Sequence, residues 1–309
     1  MRARVIAVGY LIGWGLIRWL PERWGRRLFT WIADAVWRRE GRGVRRLEAN
    51  LRRVVGPGPS EADLRALSRS GMRSYLRYWY EIFRLPSIGP RRLAERTEIH
   101  GADTLFAALE SGRGVVAALP HSGNWDQAGA WIVGRGYRLT TVAERLRPES
   151  VFERFVAFRT ALGMEVLALR GGPPPLPVLV DRLKAGGLVC LLADRDLSSS
   201  GVEVTLFGEP ARMPAGPATL ALRTGAALLP VGLWFTGKGW GIRIHDEIEV
   251  PDEGDDRHRT TAMTQALARA FESDIAAHPQ DWHMLQRVFS ADLDPRRARR
   301  AARPDRSTG

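Results

Sequence analysis

The run Pro120-His121-Ser122-Gly123-Asn124-Trp125-Asp126 holds the residue types of general acid–base chemistry. His121 follows an apolar run at 114–119 and precedes a helical pattern over 124–134, with Ser122, Gly123 and Asn124 at capping positions. A helix N-terminus disfavours the imidazolium, so the expectation is a neutral ring able to accept a proton. Asp126 lies in the first turn of that helix, and its carboxylate is expected to fold back on the imidazole, orient it and stabilise the charge it gains. A base and a carboxylate without an evident nucleophile point to activation of a substrate hydroxyl. The plainer reading of His-x4-Asp alone is a surface turn with a capping aspartate.

The competing chemistries lack their residues. Ser122 is not in a Gly-x-Ser-x-Gly elbow, which argues against a hydrolase triad. Cys190 is the single cysteine, so an internal disulfide and a multi-cysteine zinc site are excluded, and its apolar strand context reads as core. His100, His245, His258 and His278 have no clustered partners, and His283, in Asp281-Trp282-His283-Met284, reads as support for the core. No histidine pair has helical spacing, so no metal is expected. The glycines around 112–114 fit neither a phosphate loop nor a dinucleotide fingerprint, and no cofactor is expected.

The elements that must position these residues follow from apolar periodicity. Short apolar runs at 114–119, 139–143, 165–169, 188–193 and 228–235 alternate with helical patterns at 102–111, 124–134, 149–162, 176–185 and 215–224. A further helix is expected over 61–85, a last strand over 241–250 and a closing helix over 258–277. This alternation predicts an α/β fold with a largely parallel central sheet flanked by helices. In such a sheet functional groups gather at the carboxyl ends of strands. Three strand ends carry ionisable residues: His121 and Asp126; Glu144 and Arg145; Asp194, Arg195 and Asp196.

With 45% hydrophobic and 26% charged residues, the 309-residue chain has the balance of a globular protein, and disorder throughout is excluded. The net charge of +12 is concentrated at the ends: residues 1–53 carry 13 arginines against four acids, and 296–306 carry six against Asp305. Residues 5–17 are uncharged, too short for the ~20 residues of a spanning helix, and no small-residue cleavage site follows. Trp14, Trp19, Trp24, Trp31 and Trp37 fall in this arginine-rich stretch. Tryptophan and arginine together predict an N-terminal amphipathic helical region that docks on an anionic membrane surface, against the alternative of a helix packed on the core. The expected organisation is N-terminal amphipathic basic helices over 1–55, an α/β domain over 56–293 and a disordered basic tail over 294–309. No nucleic-acid partner is expected, because the middle of the chain is close to neutral and offers no aromatic–basic platform.

Beyond the residue chemistry, Leu119-Pro120-His121-Ser122-Gly123-Asn124-Trp125-Asp126 resembles the His-x4-Asp/Glu motif of the lysophospholipid acyltransferase superfamily. The similarity is to the branch holding lipid A late acyltransferases and actinobacterial phosphatidylinositol mannoside acyltransferases. Thr141-Val142-Ala143-Glu144-Arg145-Leu146, Asp194-Arg195-Asp196-Leu197, Phe207-Gly208, Met213-Pro214-Ala215-Gly216-Pro217 and Trp282-His283-Met284-Leu285-Gln286 support it. The likeness spans about residues 5–293, and the Ala-Glu-Arg-Leu and Asp-Trp-His-Met-Leu-Gln runs look closer to the mannoside branch.

The resemblance implies transfer of a fatty acyl group, palmitoyl in that branch, from acyl-CoA as co-substrate. The implied acceptor is the 6-hydroxyl of the mannose on the inositol 2-position of phosphatidylinositol mono- or dimannoside. His121 is implied as the general base, supported by Asp126 and without an acyl-enzyme, and Asp194 as an acid that helps hold the histidine. Glu144 and Arg159 match polar positions of the pocket, and Ser200 and Arg223 the donor-facing region. A backbone N–H or Arg195 is the candidate for oxyanion stabilisation. The implied location is peripheral, on the cytoplasmic face of the cell membrane. Alternatives are an acyltransferase for lipid A or another glycolipid, and a non-catalytic peripheral acyl-lipid-binding protein.

Overall fold

Strands that are buried on both faces need helices above and below them, and the chain supplies both layers. The computed structural model describes residues 17, 19–144, 149–196 and 201–293. The uncharged stretch before residue 17 and the basic tail after 293 lie outside the described residues. Helices α1 (Glu22–Arg38), α2 (Arg42–Val55) and α3 (Glu61–Arg84) pack together, followed by a short helix α4 (Pro90–Glu95). Next come β1 (Thr97–His100), α5 (Ala102–Glu110), β2 (Val115–Leu119), α6 (Trp125–Val133), β3 (Leu139–Ala143), α7 (Glu149–Ala161) and β4 (Met164–Ala168). The chain continues through α8 (Pro175–Lys184), β5 (Leu188–Leu192), β6 (Val202–Leu206), β7 (Glu209–Met213), α9 (Gly216–Thr224), β8 (Ala227–Phe235), β9 (Trp240–Ile244) and α10 (Asp256–Ala277).

The main sheet has the order β1-β9-β8-β2-β5-β3-β4, and only the β8–β9 pairing is antiparallel. Alternate residues of β2 serve opposite cores. Val116 and Ala118 join Leu183, Leu220, Leu267 and Phe271 from α8, α9 and α10. Val115, Ala117 and Leu119 join Ile82, Leu105, Ile132 and Phe155 from α3, α5, α6 and α7. This is the period of two expected of a strand, hidden in the sequence because both faces are apolar.

The expected strands and helices form within a residue or two of their anticipated bounds, and the fold class is the predicted one. Three features differ. The last strand ends at Ile244 rather than 250. The antiparallel ladder stops after Val231↔Ile244, where Pro230, without an N–H, cannot return a bond to His245. β1 is a four-residue edge strand with alternating burial, too short to stand out as an apolar run. The β6–β7 hairpin turns on Phe207 and Gly208, both with positive φ (49° and 76°). A phenylalanine is a poor match to that turn, so the usual Asn-Gly signature is missing. Its conformation is held by a backbone bond to Glu272 and by packing of its ring 6.3 Å from Trp282.

The N-terminal helices are tied to the body by polar as well as apolar contacts. Leu47, Leu51, Leu64 and Met72 form a core that also takes up Leu285. Asn50 is buried and donates to the carbonyls of Met284 (2.8 Å) and Gln286 (2.9 Å). Asp34 receives Arg69 and Arg73 in bidentate fashion, and these two guanidiniums hold its carboxyl far below the usual range. Asn50→Ala removes the donor for two carbonyls of the segment that follows Trp282. It is expected to lower stability by about 1–3 kcal/mol, read as a shift of the urea midpoint at unchanged m-value.

Candidate active site

Parallel pairing of β2 with β5 builds the site. The register sets Leu119 beside Leu192, and Ala193 N–H continues the ladder to the Leu119 carbonyl at 2.8 Å. Continuing by two residues on each strand sets His121 beside Asp194. The Asp194 carboxylate takes His121 Nδ1 at 2.5 Å, the His121 backbone N–H at 2.9 Å and the Trp282 indole N–H at 2.9 Å. Burial presses the Asp194 carboxyl upward, but the His121 and Trp282 donors outweigh it and hold the carboxyl below its usual value. An ionised Asp194 keeps the proton of a neutral imidazole on Nδ1 and leaves Nε2 as the basic nitrogen.

The turn carrying His121 is clamped from the C-terminal side. His283 N–H donates to the His121 carbonyl (2.7 Å), and Gly123 N–H donates to that of Asp281 (3.0 Å). Gly123 has φ +55°, and a Cβ there would lie 2.9 Å from the Leu233–Trp234 backbone, so the turn needs glycine for conformation and for space. Asn124 caps α6, its side chain accepting from Gln127 N–H.

Asp126 does not make the contact expected of it. The α6 start turns it toward α7 and α3, where it accepts from Arg159 Nε at 2.6 Å and from the Tyr78 hydroxyl at 2.9 Å. The imidazole partner is Asp194, because strand register brings that carboxylate to Nδ1 while Asp126 is engaged across the helix interface. The Asp126 and Arg159 side chains are 1% and 14% exposed. Despite burial, Asp126 raises the Arg159 guanidinium above its already high value, and the Tyr78 phenol is raised by burial and by Asp126.

His121 opens on a cleft of about 1060 Å³ whose wall includes Glu144, Arg159, Arg195, Trp125 and His283. Glu144 follows β3 and is exposed; Arg195 follows Asp194 and is half-buried. A second, largely apolar cavity of about 790 Å³ lies between α6 and the sheet, lined by residues such as Leu105, Leu119, Leu139, Met164 and Ile242. Trp125, Val142, Arg159 and Leu192 line both spaces. Of the other expected site residues, Ser200 lies outside the described residues. Arg223 is exposed in the last turn of α9, just before β8 begins. That is the amino end of the strands, opposite His121, since α9 must run back along the sheet before β8 can pair in parallel with β2.

Trp282, Tyr78 and Trp125 were not anticipated as site residues, and His283 was read only as core. Trp282 and His283 stood in a recognised run without a role. Tyr78 sits within the apolar periodicity of α3 and carries no signal of its own. Cys190 is half-buried in the wall of the apolar cavity, and desolvation pushes its thiol up to about 12, which removes it as a nucleophile.

A histidine held by a buried carboxylate, at the strand ends of an α/β sheet and beside an apolar cavity, is an arrangement able to take a proton from a hydroxyl. The chain belongs to the bacterial lipid A biosynthesis acyltransferase family, whose sequence profile matches residues 2–291. Its relatives include the phosphatidylinositol mannoside acyltransferase of Mycolicibacterium smegmatis, 50% identical over 298 residues that cover 96% of this chain and 95% of that protein. The phosphatidylinositol mannoside acyltransferase of Mycobacterium tuberculosis strain H37Rv is likewise 50% identical over 298 residues, 95% of this chain and 92% of that protein.

Asp126→Ala leaves the Arg159 guanidinium buried without its carboxylate. It is expected to cost about 3–5 kcal/mol, measured by chemical denaturation; a loss of under about 1 kcal/mol would show that the pair is solvated.

Proposed function

We propose that the protein transfers a palmitoyl group from palmitoyl-CoA to the 6-hydroxyl of the mannose on the inositol 2-position of a phosphatidylinositol mannoside. The observation that carries this reading is His121. Its Nδ1 is taken up by Asp194, and the ring opens on a cleft sharing a wall with an apolar cavity. The relatives that act on phosphatidylinositol mannoside support the acceptor.

In this mechanism Nε2 of His121 removes the proton of the mannose hydroxyl, and Asp194 stabilises the imidazolium formed. The oxygen attacks the thioester carbonyl, and the tetrahedral intermediate collapses with loss of CoA thiolate, which takes the proton back from the imidazolium. Among the described residues of the cleft wall, Arg195 is the guanidinium open to meet the oxyanion, since Arg159 is committed to Asp126. Direct transfer is favoured over an acyl-enzyme because Cys190 is held as a thiol by desolvation and Ser122 Oγ is buried without a base. The apolar cavity, which shares a wall with the cleft, takes the acyl chain.

Both substrates are lipids or carry one, so the enzyme works at a membrane surface. Among the described residues no helix is long and apolar enough to cross a membrane. α1 instead presents Trp24, Leu28 and Trp31 to solvent, with Trp19 just before it 90% exposed and arginines interleaved. This face docks the protein on anionic lipid at the cytoplasmic leaflet, where acyl-CoA is supplied.

Thiol release from palmitoyl-CoA, with and without phosphatidylinositol mannoside, tests the chemistry. Acceptor-dependent release is expected to fall about 10²–10⁴-fold in His121→Ala and by a similar order in Asp194→Asn. Activity retained in His121→Ala would sink the mechanism. Trp24→Ser combined with Trp31→Ser is expected to reduce pelleting with phosphatidylinositol-containing vesicles about 10-fold or more, with the fold intact by circular dichroism.

A further inference from the structure

Two polar atoms in the wall of the His121 cleft are buried without a hydrogen-bond partner: the indole N–H of Trp125 and Nδ1 of His283. Leaving a buried polar group unmade costs about 1–3 kcal/mol, so two such atoms in one cleft ask for a ligand that satisfies them. Trp125 can only donate. The role of His283 Nδ1 follows from the chain of bonds behind it. Asp281 accepts the backbone N–H of Phe235 (2.9 Å) and the Ser74 hydroxyl (2.6 Å). Ser74 has one hydrogen, which it donates to Asp281, so Ser74 Oγ accepts from Nε2–H of His283 at 2.9 Å. Burial holds the Asp281 carboxyl above its usual value, and Ser74, the Phe235 N–H, Arg77 and His278 offset this only in part. Burial and the nearby His121 pull His283 down to about 3, so its ring is neutral and Nδ1 is a bare acceptor.

A donor and an acceptor thus stand side by side. The Trp125 and His283 ring centres are 6.3 Å apart, near enough for one polar group of a ligand in the cleft to meet both rings. Trp125 also stands edge-on to the His121 ring at 5.7 Å. A hydroxyl both donates and accepts, and is the group that satisfies this pair. We propose that Trp125 and His283 bind a second hydroxyl of the acceptor sugar, next to the one that His121 deprotonates, and so select a polyol acceptor and its register in the cleft. This rests on the acyl-transfer reading above. A site that hydrogen-bonds a substrate hydroxyl discriminates strongly against the analogue lacking it, because its own polar atoms are left unpaired.

The test is acyl transfer from palmitoyl-CoA to phosphatidylinositol monomannoside and to a series of its deoxy forms, each lacking one mannose hydroxyl other than the 6-hydroxyl. With the unmodified protein, one deoxy acceptor is expected to lose about 10-fold or more in kcat/KM. In His283→Phe and Trp125→Phe the native acceptor should weaken and that discrimination should shrink to about 2-fold, with thermal midpoints reporting folding. His283→Asn, whose side-chain oxygen can stand where Nδ1 stood, should restore part of it. Transfer that proceeds with equal discrimination in the unmodified protein and both Phe variants, or with none in the unmodified protein, overturns this proposal alone. Absence of transfer to any mannoside overturns it together with the acceptor reading on which it rests.

Discussion

Much of the site depends on one buried carboxylate. Asp194 is 1% exposed and would be costly there without partners, yet three donors converge on it: the His121 ring, the His121 backbone and the Trp282 indole. Each donor comes with a piece of architecture. The first two require β2 and β5 to pair in their observed register. The third requires the C-terminal segment to cross the strand ends and bridge to Ser122. One anion therefore sets the tautomer of the base and fastens the closing segment over the sheet.

That closing segment is itself held from outside the sheet. Asn50 of α2 binds the carbonyls of Met284 and Gln286, and Ser74 of α3 binds Asp281 and His283. α1, which presents Trp24 and Trp31 to solvent, packs on α3 and so belongs to the same packed unit as the His121 turn. That packing keeps the exposed tryptophans and the cleft in a fixed relation.

Asp126 shows where spacing misleads. Five residues after a histidine, in a first helical turn, a carboxylate has the reach to touch the ring, and nothing local forbids it. The choice falls to Arg159, a guanidinium from α7, and to the hydroxyl of Tyr78 from α3. A buried cation needs an anion, and Asp126 is its anion here; Asp194, arriving by strand register, is then the carboxylate left for the histidine. Glu144 and Arg195 fall in the cleft wall, as their places just after apolar strands suggested, because a parallel sheet gathers its strand ends on one side. Arg223 was not separable in the same way, since the end of α9 on which a residue falls depends on the direction of the crossover.

The amino-acid sequence by itself determined the alternation of strands and helices, the fold class and the place of His121 at a strand end. These are readable because periodicity, capping and proline or glycine breaks act over a few residues. It also carried the family likeness through runs of adjacent residues. The tertiary structure decided which carboxylate serves the histidine, that Trp282 shares it, that Tyr78 and Arg159 hold Asp126, and that an apolar cavity shares a wall with the cleft. His121 and Asp194 are 73 positions apart and Trp282 is 88 beyond Asp194. Contacts at that separation are selected by strand register and by competition among buried charges, which exist only once the chain is packed.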